Sequence, residues 1–245
     1  MTPEIIIFLT FAVLAVAFLY SSVGHAGASG YIAVMTLFSL APTEIKPIAL
    51  ILNILVASIT SWQFWRAGHF SWSLFWPFAF FAIPCAFIGG YLNLPTHIFK
   101  ILVGFVLLAS AIRFLVNNPV EQEPQTPSRN LSFAVGAGLG LLAGLTGTGG
   151  GIFLTPLLIF MRWAQTKTAS AISALFILVN SISGLLGNFS ATQYFPNFAW
   201  SLLIAVICGG TIGSYLGSRK LPHTAIKRLL AVVLAIAGFK LILTP

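Results

Sequence analysis

Charged side chains are what this sequence has least of. Only 7% of its 245 residues are Asp, Glu, Lys or Arg, whereas a soluble domain carries about 25%. Twelve basic and four acidic side chains cannot cover a solvated surface of this size, which excludes an ordinary cytosolic enzyme, a nucleic-acid-binding protein and a disordered chain. Hydrophobic residues make up 58% of the sequence, and several apolar runs approach the roughly 18–20 residues that cross a bilayer as a helix. The composition therefore predicts an all-α polytopic membrane protein with about eight to ten membrane segments.

Acidic residues are scarcer than basic ones, and aspartate is absent. The four glutamates, Glu4, Glu44, Glu121 and Glu123, fall at segment ends or in a polar loop. Transporters commonly build proton relays and cation sites from carboxylates inside the membrane. A pump is therefore disfavoured, and a metal-cation permease is a weaker alternative. The two cysteines lack metal-binding spacing, so neither a metal nor a cofactor is predicted.

The N-terminal apolar run lacks the basic residues that precede the core of a signal peptide. Residues 1–20 contain no Lys or Arg, whereas a secretory signal begins with a positively charged region. We therefore interpret this run as the first membrane segment.

Ten apolar segments fall into two halves of five. The polar linker between them, residues 117–130, contains three prolines and two glutamates and separates a first repeat over 1–116 from a second over 131–245. The first-half segments are Ile5–Ser22, Tyr31–Leu40, Pro47–Trp65, Trp72–Leu92 and Ile98–Val116. The second-half segments are Leu131–Leu145, Ile152–Met161, Thr168–Gly187, Trp200–Gly217 and Ala225–Leu243.

The two halves resemble each other in sequence. The run IGGYL at 88–92 matches IGSYL at 212–216, and a Leu-Pro pair and a lysine follow in both. Residues 27–31 lie opposite residues 148–152, so the offset runs from 121 to about 128 residues. Internal repeats of this size are a common construction of secondary transporters. The sequence therefore predicts a tandem duplication.

An odd number of segments in each half places the second half upside down relative to the first. The positive-inside rule tests this arrangement, because cytoplasmic loops carry an excess of Lys and Arg. With the linker in the cytoplasm, nine basic residues lie inside, three lie outside, and both termini are periplasmic. The inside set is Arg66, Arg113, Arg129, Arg162, Lys167, Arg219, Lys220, Lys227 and Arg228, and the outside set is Lys46, Lys100 and Lys240.

The second segment of each half is short. It contains about ten residues, or about 15 Å of helix, which cannot cross a hydrocarbon core of about 30 Å. We therefore expect the first pair of segments in each half to form a broken or re-entrant hairpin. Interrupted segments at matching positions of two repeats are a sequence pointer to the binding site of a transporter.

Each interruption is a glycine-rich break. The sequence SSVGHAGASG covers 21–30, and GLTGTGGG covers 144–151. A helix that starts after such a break presents free N–H groups and the positive end of its dipole to an anion. With no acidic residue nearby, the breaks favour a site for a small oxyanion, helped by neutral hydroxyl donors. The candidate binding residues are Ser22, Gly24, His25, Gly27, Ser29, Gly30, Asn53, Thr146, Gly147, Thr148, Gly149, Gly150, Gly151, Asn180 and Ser181.

Some of these residues also have a second interpretation. Asn53 and Asn180 lie in apolar segments that follow the breaks, where a buried amide either binds substrate or joins helices. Glycines let membrane helices pack closely. His25 is the one titratable side chain expected at membrane depth, and because histidine titrates near neutral pH it is the proton-coupling candidate.

A remote alternative is an intramembrane serine hydrolase. Residues 27–30 fit the Gly-x-Ser-Gly pattern, and such an enzyme needs a histidine base within reach of its serine. No later membrane segment contains a histidine, and the second break has Gly150 opposite Ser29. We therefore favour the glycine-break interpretation and do not expect an enzyme.

Two second-half motifs carry a resemblance to a known family. GTGGGIFLTPLL at 147–158 and ASAISALFILVNSISG at 169–184 resemble the signature of the sulfite exporter TauE/SafE family, and the length, duplication and linker position are similar as well. The first break, GHAGASG, departs from the family pattern because it lacks the glycine triplet. The resemblance implies a bacterial inner-membrane permease that exports sulfite, thiosulfate or organosulfonates.

These observations combine into one expected mechanism. Two inverted repeats enclose a midplane anion site formed by both breaks, and they rock to alternate access. Backbone N–H groups of Gly149, Gly150, Gly151 and Gly30 hold the oxyanion. The expected partners are the small anion, the lipid bilayer and, as an option, further copies in a homo-oligomer, without nucleic acid. An anion channel with the same site remains an alternative.

Overall fold

The computed structural model describes residues 3–22, 24–92, 94–115, 123–192 and 199–219, together with a few residues between 231 and 243. These parts of the chain are helical, with short turns and no strand among them. This confirms an all-helical chain for the described residues, whereas most of the predicted last segment, Ala225–Leu243, lies outside them. The helices are α1 (Pro3–Ser22), α2 (Ala28–Leu37), α3 (Pro42–Arg66), α4 (Trp72–Tyr91), α5 (Thr96–Leu115), α6 (Arg129–Thr146), α7 (Gly151–Phe160), α8 (Thr166–Thr192) and α9 (Ala199–Arg219).

Four of these helices, α1, α3, α4 and α8, are long and apolar enough to cross a membrane. Large apolar side chains also cover the outward faces of the helices. Phe8, Phe11, Trp200 and Ile204 are each 67–68% exposed. Soluble monomers rarely expose extended apolar surface of this kind, whereas a lipid-facing surface requires it. The chain is therefore a multi-pass membrane protein.

The helix bounds differ from the predicted segments where a glycine or a proline sets the start. α2 begins at Ala28, three residues early, because Gly27 takes a left-handed φ of 103° as its N-cap. α3 begins at Pro42, five residues early, since proline is favoured in the first turn of a helix. Lys46, which the predicted segment excludes by one residue, therefore lies in the second turn of α3 and is 5% exposed. At its far end, α8 continues to Thr192, five residues beyond the predicted end at Gly187.

Both predicted interruptions are present. α2 and α7 contain ten residues each, or about 15 Å of helix. α1 and α6 precede them and are separated from them by short non-helical turns. α2 is buried from Ala28 to Thr36, so its neighbours cover it on all sides. Each half thus contains a long helix, a glycine turn and a short helix.

α6 packs along α4 through a row of glycines. Gly136, Gly140 and Gly144 lie four residues apart on one face of α6, and a Cβ added at any of them would clash with a backbone oxygen of α4. These oxygens run from Phe78 to Ala86 as the glycines run from 136 to 144, so the two helices are parallel. Small residues let the two helices approach closely and increase their van der Waals contact. This contact holds membrane helices together, because lipid tails are as apolar as the side chains and no hydrophobic force drives the helices together.

α9 packs on α1 in the same way. A Cβ at Gly209 would lie 2.5 Å from the backbone oxygen of Leu14, and a Cβ at Gly213 would clash with that of Phe18. These two helices are therefore also parallel. The first helix of each half thus lies against the fourth helix of the other half.

α3 and α8 pack against each other at the centre of the bundle. A Cβ at Gly24 would touch both Phe64, near the end of α3, and Ser170, near the start of α8. Asn53 and Ser181, near the middle of the two helices, are hydrogen-bonded. The contacts run in opposite directions along the two helices, so α3 and α8 are antiparallel.

Backbone conformations recur 123 residues apart in the two halves. The pattern includes left-handed glycines in both breaks and a left-handed residue after each short helix. The sequence match that set residues 27–31 opposite 148–152 is therefore two residues out of register at the breaks. The inverted relation of the halves and the bounds of the two repeats stay predictions. The matched left-handed pairs are Gly24 with Gly147, Gly27 with Gly150, and Ser39 with Arg162.

Candidate functional site

The first break lies between α1 and α2 and turns at two glycines. Gly24 and Gly27 have φ angles of 82° and 103°, a left-handed conformation that glycine adopts without steric cost. A Cβ at Gly24 would lie 2.6 Å from the Cβ of Ser170, and a Cβ at Gly27 would lie 2.9 Å from the ring of Tyr31. Both positions therefore exclude a side chain.

Two buried tyrosines form hydrogen bonds with polar groups of the first break. Tyr31 Oη donates a 2.8 Å hydrogen bond to the carbonyl oxygen of Ala26. Tyr20 Oη and Ser29 Oγ share a hydrogen bond of 2.9 Å. Ser29 therefore pairs with a phenol, whereas a serine hydrolase would pair it with a histidine base. Of the groups in these bonds, only the hydroxyls could donate to an anion, because the carbonyl oxygen of Ala26 is an acceptor.

Other predicted residues of the first break have packing or capping roles. A Cβ at Gly30 would lie 2.5 Å from Val16 Cγ1, so this glycine lets α2 approach α1. Ser22 Oγ donates to the carbonyl oxygen of Leu19 over 2.7 Å, within its own helix. His25 is buried, and its backbone N–H donates to a carbonyl of α1 over 3.0 Å.

The second break turns at three glycines. Gly147, Gly149 and Gly150 have φ angles of 76°, 73° and 77°. Thr146 Oγ1 lies 2.7 Å from its acceptor, the carbonyl oxygen of Leu142, and 2.9 Å from Thr148 Oγ1. A hydroxyl has one proton, so Thr148 donates to Thr146. The two threonines were expected to be free donors for an anion, but their protons hold the turn in shape.

Gly149 faces side chains from two long helices. A Cβ at this position would lie 2.9 Å from Asn53 Nδ2 and 2.9 Å from Ser181 Oγ. Asn53 Nδ2 itself donates to the carbonyl oxygen of Thr148 and to Ser181 Oγ, each over 3.3 Å. Asn53 and Ser181 lie close to the middle of α3 and α8. The second break therefore reaches the central level of the helix bundle.

Several polar groups at this place have no protein partner. Among the described residues, no hydrogen bond joins the backbone N–H groups of Gly149, Gly150 and Gly151 to another protein group. Asn53 Oδ1 is also buried without a protein partner, and so are both amide atoms of Asn180, the residue before Ser181 on α8. An unpaired buried polar group costs about 1–3 kcal/mol. These groups therefore require a ligand or water.

Lys46 is not among the predicted binding residues, yet its side chain lies beside the second break. Its Nζ donates to the carbonyl oxygens of Gly89, Gly90 and Leu92 at the end of α4, over 3.2, 2.9 and 3.1 Å. Its Cγ would lie 3.4 Å from a Cβ at Gly147, so the side chain passes beside the second break. The signal was available, because a proline at 42 marks a helix start that includes residue 46.

The contacts divide the predicted site residues into two groups. Asn53, Thr148, Gly149 and Ser181 meet at one place, next to the N-terminus of α7. The predicted residues of the first break lie on α1, α2 and the turn between them, and none of the described hydrogen bonds joins them to the second break. A single site formed by both breaks therefore stays a prediction.

A cavity of about 260 Å³ lies away from both breaks, where α3 ends and α4 begins. Apolar side chains form most of its wall, and the predicted binding residues do not line it. Metal binding has no counterpart in the described part of the chain, where no three His, Cys, Asp or Glu side chains come together. The cavity is lined by Ser58, Ser61, Trp62, Trp65, Phe70, Trp72, Leu175 and Leu178.

Comparison with known proteins agrees with a membrane transporter. The family model described as sulfite exporter TauE/SafE matches residues 9–241. The probable membrane transporter protein y4hK of Sinorhizobium fredii is 37% identical over 240 residues, which cover 96% of this chain and 97% of that protein. The probable membrane transporter protein YjnA of Bacillus subtilis is 27% identical over 197 residues, or 73% of this chain and 76% of that protein.

A third match covers a smaller part of the chain. The probable membrane transporter protein MJ0441 of Methanocaldococcus jannaschii is 30% identical over 159 residues, or 61% of this chain and 59% of that protein. No solved structure matches the chain significantly. Since the family model and the relative from Sinorhizobium fredii both cover nearly the whole chain, this membrane transporter belongs to the sulfite exporter TauE/SafE family.

Proposed function

We propose that this transporter carries small sulfur oxyanions, namely sulfite, thiosulfate or organosulfonates, by alternating access. The observation that carries the proposal is the group of buried, unpartnered N–H donors at Gly149–Gly151 beside the amide of Asn53. The description of the family names sulfite, which is an anion of this chemical class.

The chemistry of the second break suits an oxyanion. An oxyanion only accepts hydrogen bonds, and the N-terminus of α7 offers backbone N–H donors and about half a positive charge. The unpartnered amide of Asn180 provides two further N–H donors. Hydrogen bonds to a charged partner are worth about 1.5–3 kcal/mol each. The same donors would repel a metal cation, so a cation permease is disfavoured.

The position of the site is compatible with access from both sides of the membrane. Asn53 and Ser181 lie near the middle of two helices that are each long enough to span a bilayer. The antiparallel pair α3–α8 and the recurrence of conformations over 123 residues support two inverted repeats. Rocking of one repeat against the other would then open the site to each side in turn. The bias of basic residues supports an inner-membrane location with the linker in the cytoplasm and periplasmic termini.

Counterflow in proteoliposomes tests this function. Vesicles are loaded with labelled sulfite, and unlabelled sulfite, thiosulfate, methanesulfonate or chloride is supplied outside. A carrier accelerates the loss of label in a saturable way when a transported anion is present. An efflux rate that does not depend on the outer anion and does not saturate would indicate a channel. No efflux with any sulfur anion would overturn the proposed substrate class.

The Gly149→Ala variant tests the site in the same assay. The new methyl group would lie 2.9 Å from Asn53 Nδ2 and from Ser181 Oγ, so it would push these groups apart and displace an anion bound at the N–H groups. We expect at least a tenfold loss of counterflow, on the order of losing one charge-assisted hydrogen bond. Gly68→Ala is the matched control, because Gly68 has a φ of 77° with nothing within 4 Å of its Cβ. Equal activity of the two variants would exclude the second break.

Proton coupling through His25 is part of the same proposal. A pH gradient across the vesicle membrane should then drive accumulation of sulfite, and His25→Gln should abolish the effect of the gradient while leaving counterflow intact. Accumulation by His25→Gln that responds to the gradient as the wild type does would remove His25 from this role.

A further inference from the structure

We propose that Lys46 supplies the positive counter-charge of the anion site, so that the transporter prefers doubly charged oxyanions. This inference rests on the proposed function of the second break. Lys46 is 5% exposed, and among the described residues it is the one buried side chain of Lys, Arg, Asp or Glu type. A buried charge is expensive unless it is compensated. The surroundings of Lys46 therefore decide whether its charge is available to a substrate.

The charge of Lys46 is hydrogen-bonded but not neutralised. Its three described partners are backbone carbonyls at the C-terminal end of α4, where the helix dipole contributes about half a negative charge. The glutamate nearest in sequence, Glu44, accepts a hydrogen bond from the N–H of Ala41 at the start of α3. No carboxylate of the described residues forms an ion pair with Lys46. About half of the positive charge of Lys46 is thus left uncompensated beside the second break.

The position of Lys46 brings this charge within electrostatic range of the donors. Its Cγ lies against Gly147, and Gly149 follows two residues later, which is at most about 8 Å along the chain. A unit charge on the order of 10 Å from an anion changes its affinity by about tenfold at an effective dielectric constant near 20. For a divalent anion, the electrostatic free energy of this interaction is twice as large.

The corresponding place in the first half carries no charge. A Cβ at Gly24 would meet Ser170, whereas a Cβ at Gly147 would meet Lys46, and these two glycines are the matched left-handed pair of the breaks. The first break therefore contacts the hydroxyl of Ser170, whereas the second contacts the backbone and the Cγ of Lys46. Among the described residues, a buried cationic side chain thus lies beside the second break and none lies beside the first.

Binding of thiosulfate, a divalent anion, and methanesulfonate, a monovalent one, to the purified full-length protein tests this inference. The variants are Lys46→Gln and Lys46→Met, which remove the charge, and Lys46→Arg, which keeps it. Arg66→Gln removes an exposed charge that lies over Trp62 and serves as control. We expect the neutral variants to lose at least about tenfold in thiosulfate affinity and less in methanesulfonate affinity, while Lys46→Arg and Arg66→Gln retain the wild-type preference.

Three results would overturn the inference. One is a folded neutral variant with the wild-type ratio of the two affinities. Another is failure of both neutral variants to fold, which would make Lys46 a cap of α4 only. The third is a wild-type protein that binds neither anion, and this result alone would also remove the proposed function. The wild-type measurement, made first, therefore distinguishes the two failures.

Discussion

The two breaks turn the chain with the same backbone geometry but leave their polar groups in different states. In the first break, the hydroxyls of Tyr20 and Tyr31 bind Ser29 and the carbonyl of Ala26. In the second break, Thr148 and Gly149 instead contact Asn53 and Ser181 of the two central helices, and Asn53 Oδ1 has no protein partner. The N–H groups that begin α2 and α7 have no partner among the described residues in either break, so the breaks differ in the side chains that meet them and not in their backbone donors.

Two substitutions between the halves account for the absence of these tyrosine hydroxyls from the second break. The residues 123 positions after Tyr20 and Tyr31 are Ala143 and Leu154, which carry no hydroxyl group. The second half therefore lacks the side chains that close the first break. A duplicated fold can in this way keep one turn for structure and use the other for binding, since the backbone geometry does not depend on those hydroxyls.

The largest effect is expected from a negative charge at the second break. Asn53→Asp keeps the size of the side chain but places a carboxylate beside Thr148 and Ser181. Repulsion at about 5 Å should weaken thiosulfate binding by about a hundredfold or more at an effective dielectric constant near 20. Asn130→Asp, on the exposed start of α6, is the control for the added charge. Unchanged affinity in Asn53→Asp, measured by calorimetry, would place the anion elsewhere.

A smaller effect, on stability alone, is expected from a methyl group in the first break. In Gly30→Ala the new Cβ would press against Val16 and Tyr20, and such overpacking costs about 1–3 kcal/mol. Gly138→Ala is the matched control, because Gly138 is also helical and has nothing within 4 Å of its Cβ. Denaturant unfolding in detergent measures the difference. If Gly30→Ala instead loses anion affinity while folded, the first break belongs to the site and the contrast between the breaks fails.

The smallest effect is expected from the loss of one hydroxyl group in the first break. Tyr31→Phe removes the hydrogen bond to the carbonyl of Ala26 and should lower the free energy of unfolding by about 1 kcal/mol. Counterflow of sulfite should stay at the wild-type rate. A marked drop in counterflow, with unfolding unchanged, would show that this tyrosine serves transport and not closure of the turn.

The sequence was informative wherever a local rule applies. Low charge and long apolar runs indicated a helical membrane chain, because the bilayer sets both properties. The glycine runs indicated the two breaks, because only glycine adopts left-handed backbone freely. The predicted start of α3 is five residues too late, because the apolar run begins at Pro47 whereas the helix begins at Pro42. Lys46 therefore lies inside the helix and outside the predicted segment.

The partners of the site residues could not be deduced in this way. Asn53 and Ser181 are 128 residues apart, and Lys46 reaches carbonyls 43 to 46 residues away. Such contacts depend on how α3, α4 and α8 pack. The roles of Thr146 and Thr148 also changed, because their protons are used within the turn, a result that needs distances.

By itself, the sequence determined the membrane class, the helical content, the place of both breaks and the family motifs, because hydropathy and glycine content act through neighbouring residues. Only the tertiary structure decided which side chains meet each break and where the one buried cation of the described residues lies. Both outcomes depend on side chains that meet across helices, and a hydrogen bond is satisfied or left open only once the packing of those helices is fixed.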